Sequence, residues 1–208
     1  MISILKRPAR AVSIASRRRK IDLLTSAIEP GSRVLMVGVS MQDGIGSTSV
    51  VERGLKDHCE VVALTYEPVE ADTLGAPLVR ADGRRLPFAS GSFDYVVSNA
   101  VIEHVGGPVG AQQMIVESGR VARRGWLHFT PNRRFPFETH TGVPVLHWLP
   151  TRLREPLFAK LGRPFPLDRY CLFTARSLRR LDSSVAVRPA TGRFPALTLL
   201  ASGRSSTG

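Results

Sequence analysis

Five short apolar runs, each closed by a glycine, a proline or a polar residue, constrain this chain more than any other feature. They are Arg33-Val34-Leu35-Met36-Val37-Gly38, Glu60 to Thr65, Leu78 to Asp82, Phe93 to Asn99, and Trp126 to Thr130, the last cut off by Pro131. Unbroken apolar runs of this length fit strands buried on both faces, whereas half-exposed strands alternate. Helix-length segments separate several of them, at residues 48–56 and 109–123. A further helix over 174–182 and two strands near 184–188 and 195–202 bring the strand count to seven. Strands alternating with helices predict an α/β fold, a doubly wound and mostly parallel seven-stranded sheet. The Pro-, Arg- and aromatic-rich stretch 131–170 breaks the alternation and reads as an insertion after strand five. In such sheets ligands bind beyond the carboxyl ends of the strands, where strand order reverses. Every polar residue that ends a strand is therefore a site candidate.

The 208 residues suffice for one domain of this kind and are too few for two ordinary ones. Residues 1–29 read as a basic helical leader, 30–203 as the domain, and 204–208 as a disordered tail. In the leader, Arg17-Arg18-Arg19-Lys20 precede Ile21, Leu24 and Ile28 at near-helical spacing, and Pro30-Gly31 stops the helix. No apolar core with a small-residue cleavage site follows the basic residues, so a signal peptide is not expected. No run approaches the ~20 apolar residues of a membrane span. Cys59 and Cys171 form no CxxC pair, which argues against a disulfide framework or zinc cluster and fits a reducing cytoplasm.

Charge is unevenly spread. The net charge is +12, and only four of the 29 basic residues are lysine. Residues 1–35 carry 8 basic and 2 acidic side chains, residues 36–116 carry 5 and 10, and residues 117–208 carry 16 and 5. Basic ends around an acidic middle attract polyanions or anionic membrane surfaces. A compositional preference for arginine explains the same numbers equally well.

The densest motif is Asp82-Gly83-Arg84-Arg85-Leu86-Pro87-Phe88, then Gly91-Ser92-Phe93-Asp94-Tyr95-Val96-Val97-Ser98, then Glu103-His104-Val105. This pattern resembles the third and fourth strands of class I S-adenosylmethionine-dependent methyltransferases of the small-molecule type-11 kind. The resemblance spans roughly residues 30–130 and implies a Rossmann-like sheet with S-adenosylmethionine as cofactor. Asp82 would accept from the adenine amino group, with the neighbouring Gly83 backbone serving a ring nitrogen. Asn99 and Ala100 would face the methionine part and the methyl group. Asp94 packs at the start of strand four, away from the chemistry.

Two positions depart from the family pattern. After strand one the family places an acid and then Gly-x-Gly-x-Gly, whereas this chain has Met36-Val37-Gly38-Val39-Ser40. Gly38 still lets backbone approach a ligand closely, and Ser40 replaces the second glycine. At the end of strand two, Thr65 stands where the ribose-binding acid is usual, with Tyr66 and Glu67 next in line. A threonine makes one such bond, whereas a carboxylate accepts two charge-assisted ones.

His104, after strand four, reads either as a base or substrate-orienting group or as a helix-start histidine bonded to backbone. His140 is a second candidate, in the insertion. That insertion mixes Arg133, Arg134, Glu138, His140 and His147 with aromatic residues, as a lid and specificity element would. His140 and His147 lie seven apart without a third ligand at metal spacing, so no metal site is expected.

The resemblance thus implies methyl transfer to a small-molecule, glycan or lipid-linked acceptor, anionic by the charge of the carboxyl-terminal half. No Asn-Pro-Pro-Tyr run follows strand four, where Ser98-Asn99-Ala100-Val101 stands. Nucleic acid is therefore not expected as a partner. The leader's basic residues suggest a cytoplasmic protein able to rest peripherally on an anionic inner membrane surface. The departures at Met36, Ser40 and Thr65 keep open a methyltransferase-like binding or scaffold protein without turnover.

Overall fold

The computed structural model describes residues 2–39, 49–68, 75–137, 143–160, 170–191 and 196–206. Its elements are α1 (Ile2–Ala27), β1 (Arg33–Val37), α2 (Ser49–Lys56), β2 (Glu60–Thr65), β3 (Leu78–Arg80), β4 (Phe93–Asn99) and α3 (Gly107–Val121), followed by β5 (Ala122–Pro131). A 3-10 turn (Leu146–Trp148), α4 (Thr151–Lys160), α5 (Ala175–Leu181), β6 (Ala186–Thr191) and β7 (Thr198–Arg204) complete the order. The seven strands form one sheet in the order β3-β2-β1-β4-β5-β7-β6. β1 pairs in parallel with both β2 and β4, while β7 runs antiparallel to its neighbours β5 and β6. The expected doubly wound, mostly parallel, Rossmann-like sheet is the one observed.

Burial follows the pleat. Leu35, Val37, Leu64 and Val96 face one core with Ala111, Met114 and Ile115 of α3. Val34, Met36, Ala63, Val97 and Phe129 face the other, with Leu24 of α1, Ile28 just beyond it, and Val51 and Leu55 of α2. Both faces of the central strands are covered, which is why their sequences run apolar without alternation.

Three expected boundaries move. The basic leader and its helix are one 26-residue helix. β5 begins at Ala122, directly after α3, because Phe93 and Tyr95 of β4 pair with Ala122 and Gly125. The tail is ordered through residue 206: β7 extends to Arg204, and the N–H groups of Ser205 and Ser206 donate to the carbonyls of Arg124 (3.4 Å) and Gly119 (3.1 Å).

The insertion leaves and rejoins the sheet at one neck. Asn132 bridges Phe173, the Arg133 N–H donates to the Phe173 carbonyl (2.9 Å), and the Asn132 amide donates to the Ala196 carbonyl (2.8 Å). No described helix is long and apolar enough to cross a membrane.

Candidate functional site

Strand order reverses between β1 and β4, the point at which doubly wound sheets open a crevice for ligands. Gly38 leaves β1 there with φ +78, and a Cβ at this position would collide with the Val101 side chain. Only glycine tolerates both the left-handed backbone and the close approach. Opposite it, Ala100 leaves β4 with φ 58, held by its N–H donating to the Phe129 carbonyl (2.9 Å). A non-glycine residue in this region is uncommon, and such strain gathers at binding and catalytic sites.

Next to this crevice, at the ends of β2 and β3, lies an open cleft of about 410 Å³ lined by Tyr66, Glu67, Pro68, Arg80, Ala81 and Asp82. Tyr66 exposes its ring and Glu67 its carboxylate. Thr65 is buried and turns its hydroxyl to the Glu67 carbonyl (3.3 Å). Asp82 stands two residues beyond β3. Its carboxylate accepts from the Arg84 backbone N–H (2.9 Å), from Nε (3.0 Å to each oxygen) and from Nη2 (2.6 Å). These bonds to Arg84 hold the Asp82 carboxyl below its ordinary range, so it stays ionised. Gly83 is fixed by packing, since a Cβ there would lie 2.9 Å from Val37 Cγ1.

The rest of the motif is scaffolding. The Leu86 N–H donates to Glu117 (2.7 Å), while Arg120 donates to the carbonyls of Leu86 (3.0 Å) and Phe88 (2.8 Å). The ion pair Glu117–Arg120 of α3 thereby fixes the Leu-Pro-Phe turn against the sheet. Asp94 accepts from the Arg33 N–H (2.9 Å) at the opposite end of the strands. Glu103 is fully buried and accepts from the Thr130 hydroxyl (2.9 Å), tying the loop after β4 to β5.

Asn99 does not stand alone at the strand end. Its side-chain oxygen accepts from the Lys20 ammonium of α1 (2.8 Å), and its amide favours the ionised form of the Glu52 carboxyl of α2 against the effect of burial. Lys20 also lies over the Phe129 ring, 5.5 Å from its centroid. Lys20 and Glu52 are 8% and 3% exposed. Burial pulls the Lys20 ammonium down to about 8, against the opposing charges of Glu103 and Glu52. It pushes the Glu52 carboxyl up to about 7.

His104 is exposed and its ring lies against Tyr170, centroids 4.9 Å apart. Ser40, Glu138 and His140 lie outside the described residues. His147 is buried and, like the Trp148 indole N–H, serves the Arg133 carbonyl, at 3.1 and 2.7 Å. No group of three metal-ligating side chains occurs among the described residues. Lys20, Glu52 and Arg84 escaped the sequence reading. The signal was a charge on a helical stripe: Lys20 continues Leu24 and Ile28 at intervals of four, and Glu52 adjoins the buried Val51.

Residues 43–129 match the family model described as a methyltransferase domain, of type 11. Among solved structures, the chain is similar to a Thermotoga maritima S-adenosylmethionine-dependent methyltransferase, described as a possible histamine N-methyltransferase. Identity is 14%, coverage 94% of this chain and 92% of the other, and the TM-score 0.61. Magnesium protoporphyrin IX methyltransferase of Synechocystis PCC 6803, with bound S-adenosylhomocysteine, matches at 15% identity over 94% and 85% of the two chains (TM-score 0.56). A Rhodobacter sphaeroides protein titled a putative zinc-dependent alcohol dehydrogenase matches at 13% over 90% of each (TM-score 0.62). At these identities the likeness is one of fold. No curated protein sequence matches the chain.

Proposed function

Because the chain carries a class I S-adenosylmethionine-dependent methyltransferase domain of the type-11 family, we propose that it transfers the cofactor's methyl group to an anionic small-molecule, glycan or lipid-linked acceptor. The observation that carries this reading is the Tyr66–Asp82 cleft at the carboxyl ends of β2 and β3, on the strands next to the order reversal between β1 and β4. The residues fit the cofactor. Tyr66 offers a ring face and Asp82 an ionised acceptor for an adenine amino group, while Glu67 offers a carboxylate for ribose hydroxyls. Gly38 and Ala100 bring bare backbone to the crevice where the methyl donor belongs. The cofactor supplies an activated sulfonium methyl, so the chain's task is alignment and exclusion of water. His104, exposed after β4 and set against the Tyr170 ring, is the residue we assign to orient the acceptor or take its proton.

The insertion supports a lipid-linked acceptor. Phe137, Val145, Trp148, Leu153 and Leu157 are exposed apolar side chains on this one lobe, beside the exposed cations Arg133, Arg134, Arg152 and Lys160. Aromatic and aliphatic groups ringed by arginine suit an amphipathic anionic molecule at a membrane surface. Of the four leader cations, Lys20 is buried and cannot serve such a surface, whereas Arg18 and Arg19 are exposed. Sedimentation with anionic and neutral vesicles tests this acceptor class: retention by anionic vesicles alone, lost in Leu153→Ser/Leu157→Ser, is expected. Equal, negligible retention on both would direct the search to a water-soluble acceptor.

A second reading, a methyltransferase-like binding protein without turnover, draws on three features. Met36 occupies the acid position of strand one, the Thr65 hydroxyl faces a backbone carbonyl, and Arg84 already bonds Asp82. Calorimetry with the cofactor separates the two.

A further inference from the structure

We propose that Lys20 and Glu52, set on either side of Asn99, form a clamp for a zwitterionic α-amino acid head, with Glu52 receiving its ammonium and Lys20 its carboxylate. In the function proposed above, that head is the methionyl end of the cofactor, and the clamp rests on that reading.

The three residues come from α1, α2 and the end of β4, and nothing in the local fold requires charges there. By the alternation of β4, Asn99 shares the sheet face of Val97, the face that also carries Met36, Leu24 and Val51. A buried charge is retained at a cost that only pairing offsets. Here the two opposite charges are not among the described ion pairs with each other; Asn99 links them, accepting from Lys20 and favouring the ionised form of Glu52. Glu52 Oε2, buried, has no hydrogen-bond partner. Lys20 spends one of its three donors on Asn99. One acceptor and two donors thus remain at a bridge between an anion and a cation, which is the complement of an ammonium and a carboxylate on adjacent atoms.

Placement agrees with this chemistry. Asn99 immediately precedes Ala100, across the crevice from Gly38, whereas the cleft suited to a flat heterocycle lies at the ends of β2 and β3. A ligand with its ring in that cleft extends its other end toward β1 and β4. Since strand one carries Met36 where the family has its acid, Glu52 supplies a carboxylate to the same face from α2. The charge shifts fit as well: burial holds Glu52 near 7 and Lys20 near 8, and a bound ammonium and carboxylate would restore both to full charge.

The test is calorimetry on the full chain with two ligands, S-adenosylhomocysteine and 5′-methylthioadenosine, which share adenosine and thioether but differ in the amino acid head. The clamp predicts that the wild type prefers S-adenosylhomocysteine by about ten-fold or more, the worth of one charged hydrogen bond. Glu52→Gln and Lys20→Met should each remove most of that preference and leave methylthioadenosine affinity unchanged. Glu52→Gln is nearly isosteric and carries the test if Lys20→Met fails to fold by circular dichroism. Equal loss for both ligands, or an unchanged preference in a folded variant, overturns the clamp while the function stands. Failure of the wild type to bind either ligand overturns both.

Discussion

The Lys20 ammonium of the first helix lies 2.8 Å from the Asn99 side-chain oxygen, 79 residues away at the end of the fourth strand. That bond fixes α1 to the reversal point of the sheet, and the buried Glu52 of α2 is electrostatically coupled to both Asn99 and Lys20. Those charges make stability depend on pH. Glu52 is raised from 4.5 to about 7 on folding, so over that window the folded state binds more protons than the unfolded, and stability falls as pH rises. Lys20 is lowered from 10.5 to about 8, so stability rises again above pH 8. The pair thus contributes a trough between about pH 7 and 8. Urea unfolding of the wild type and Glu52→Gln at pH 5 and 7.5 should show the variant losing less stability between the two. Parallel changes in both proteins would show that Glu52 titrates normally.

A third buried group shifts in the sense of Lys20, opposite to Glu52. His128 is fully buried between the hydroxyls of Ser98 (2.8 Å from Nδ1) and Ser118 (3.1 Å from Nε2), and desolvation lowers it from 6.5 to about 3. Unfolded chains take up the proton first, so its contribution is complete above pH 6.5 and lost on acidification toward 3. His128→Gln should cost about 1–3 kcal/mol at pH 7, the penalty of unmatched buried hydroxyls. It should also flatten the acid limb of the unfolding midpoint against pH. An unchanged acid limb would place the sensitivity elsewhere.

How far these features were legible in the sequence depends on whether neighbours in the chain or neighbours in space define them. The strands were legible because each is covered on both faces, so its own composition records its environment. Asp82 and Gly38 were legible because a turn and a strand end leave local marks. Lys20 and Glu52 were not. Ile21, the residue next to Lys20, offered the more apolar reading of the helix, and only the packing of α1 on α2 shows that Lys20 turns inward. Nor could the sequence show Arg84 closing on Asp82 or His147 serving the Arg133 carbonyl. The pairing of β5 with β7, which extends order to residue 206, was hidden for the same reason.

Gly38→Ala is expected to damage both fold and site. The left-handed backbone costs a non-glycine residue about 1–2 kcal/mol, and the added Cβ would strike the Val101 side chain. Gly38→Ala/Val101→Ala should recover the packing part and leave the backbone part, read as two unfolding midpoints below wild type with the double variant between. A single variant as stable as wild type would mean that the close approach at the crevice is not needed.

Asp82 and Arg84 separate by mutation. Asp82→Ala should weaken cofactor binding by about 1–3 kcal/mol, the usual cost of a lost charged partner. Arg84→Ala should leave binding equal or tighter, because the three side-chain bonds to Asp82 are removed and the carboxylate becomes available to the ligand, while the backbone N–H bond stays. Stronger damage from Arg84→Ala than from Asp82→Ala would make the arginine the contact and the aspartate its support. Thr65→Asp completes the set: tighter binding indicates a ribose place left open, and weaker binding indicates that Glu67 already fills it.

The most direct measurement is calorimetric titration of the wild-type chain with S-adenosylmethionine. A working methyl-transfer site predicts saturable one-to-one binding, weakened by Asp82→Ala in a folded variant. Heats of dilution alone, from protein shown to be folded, would contradict the account and leave a methyltransferase fold serving some other purpose.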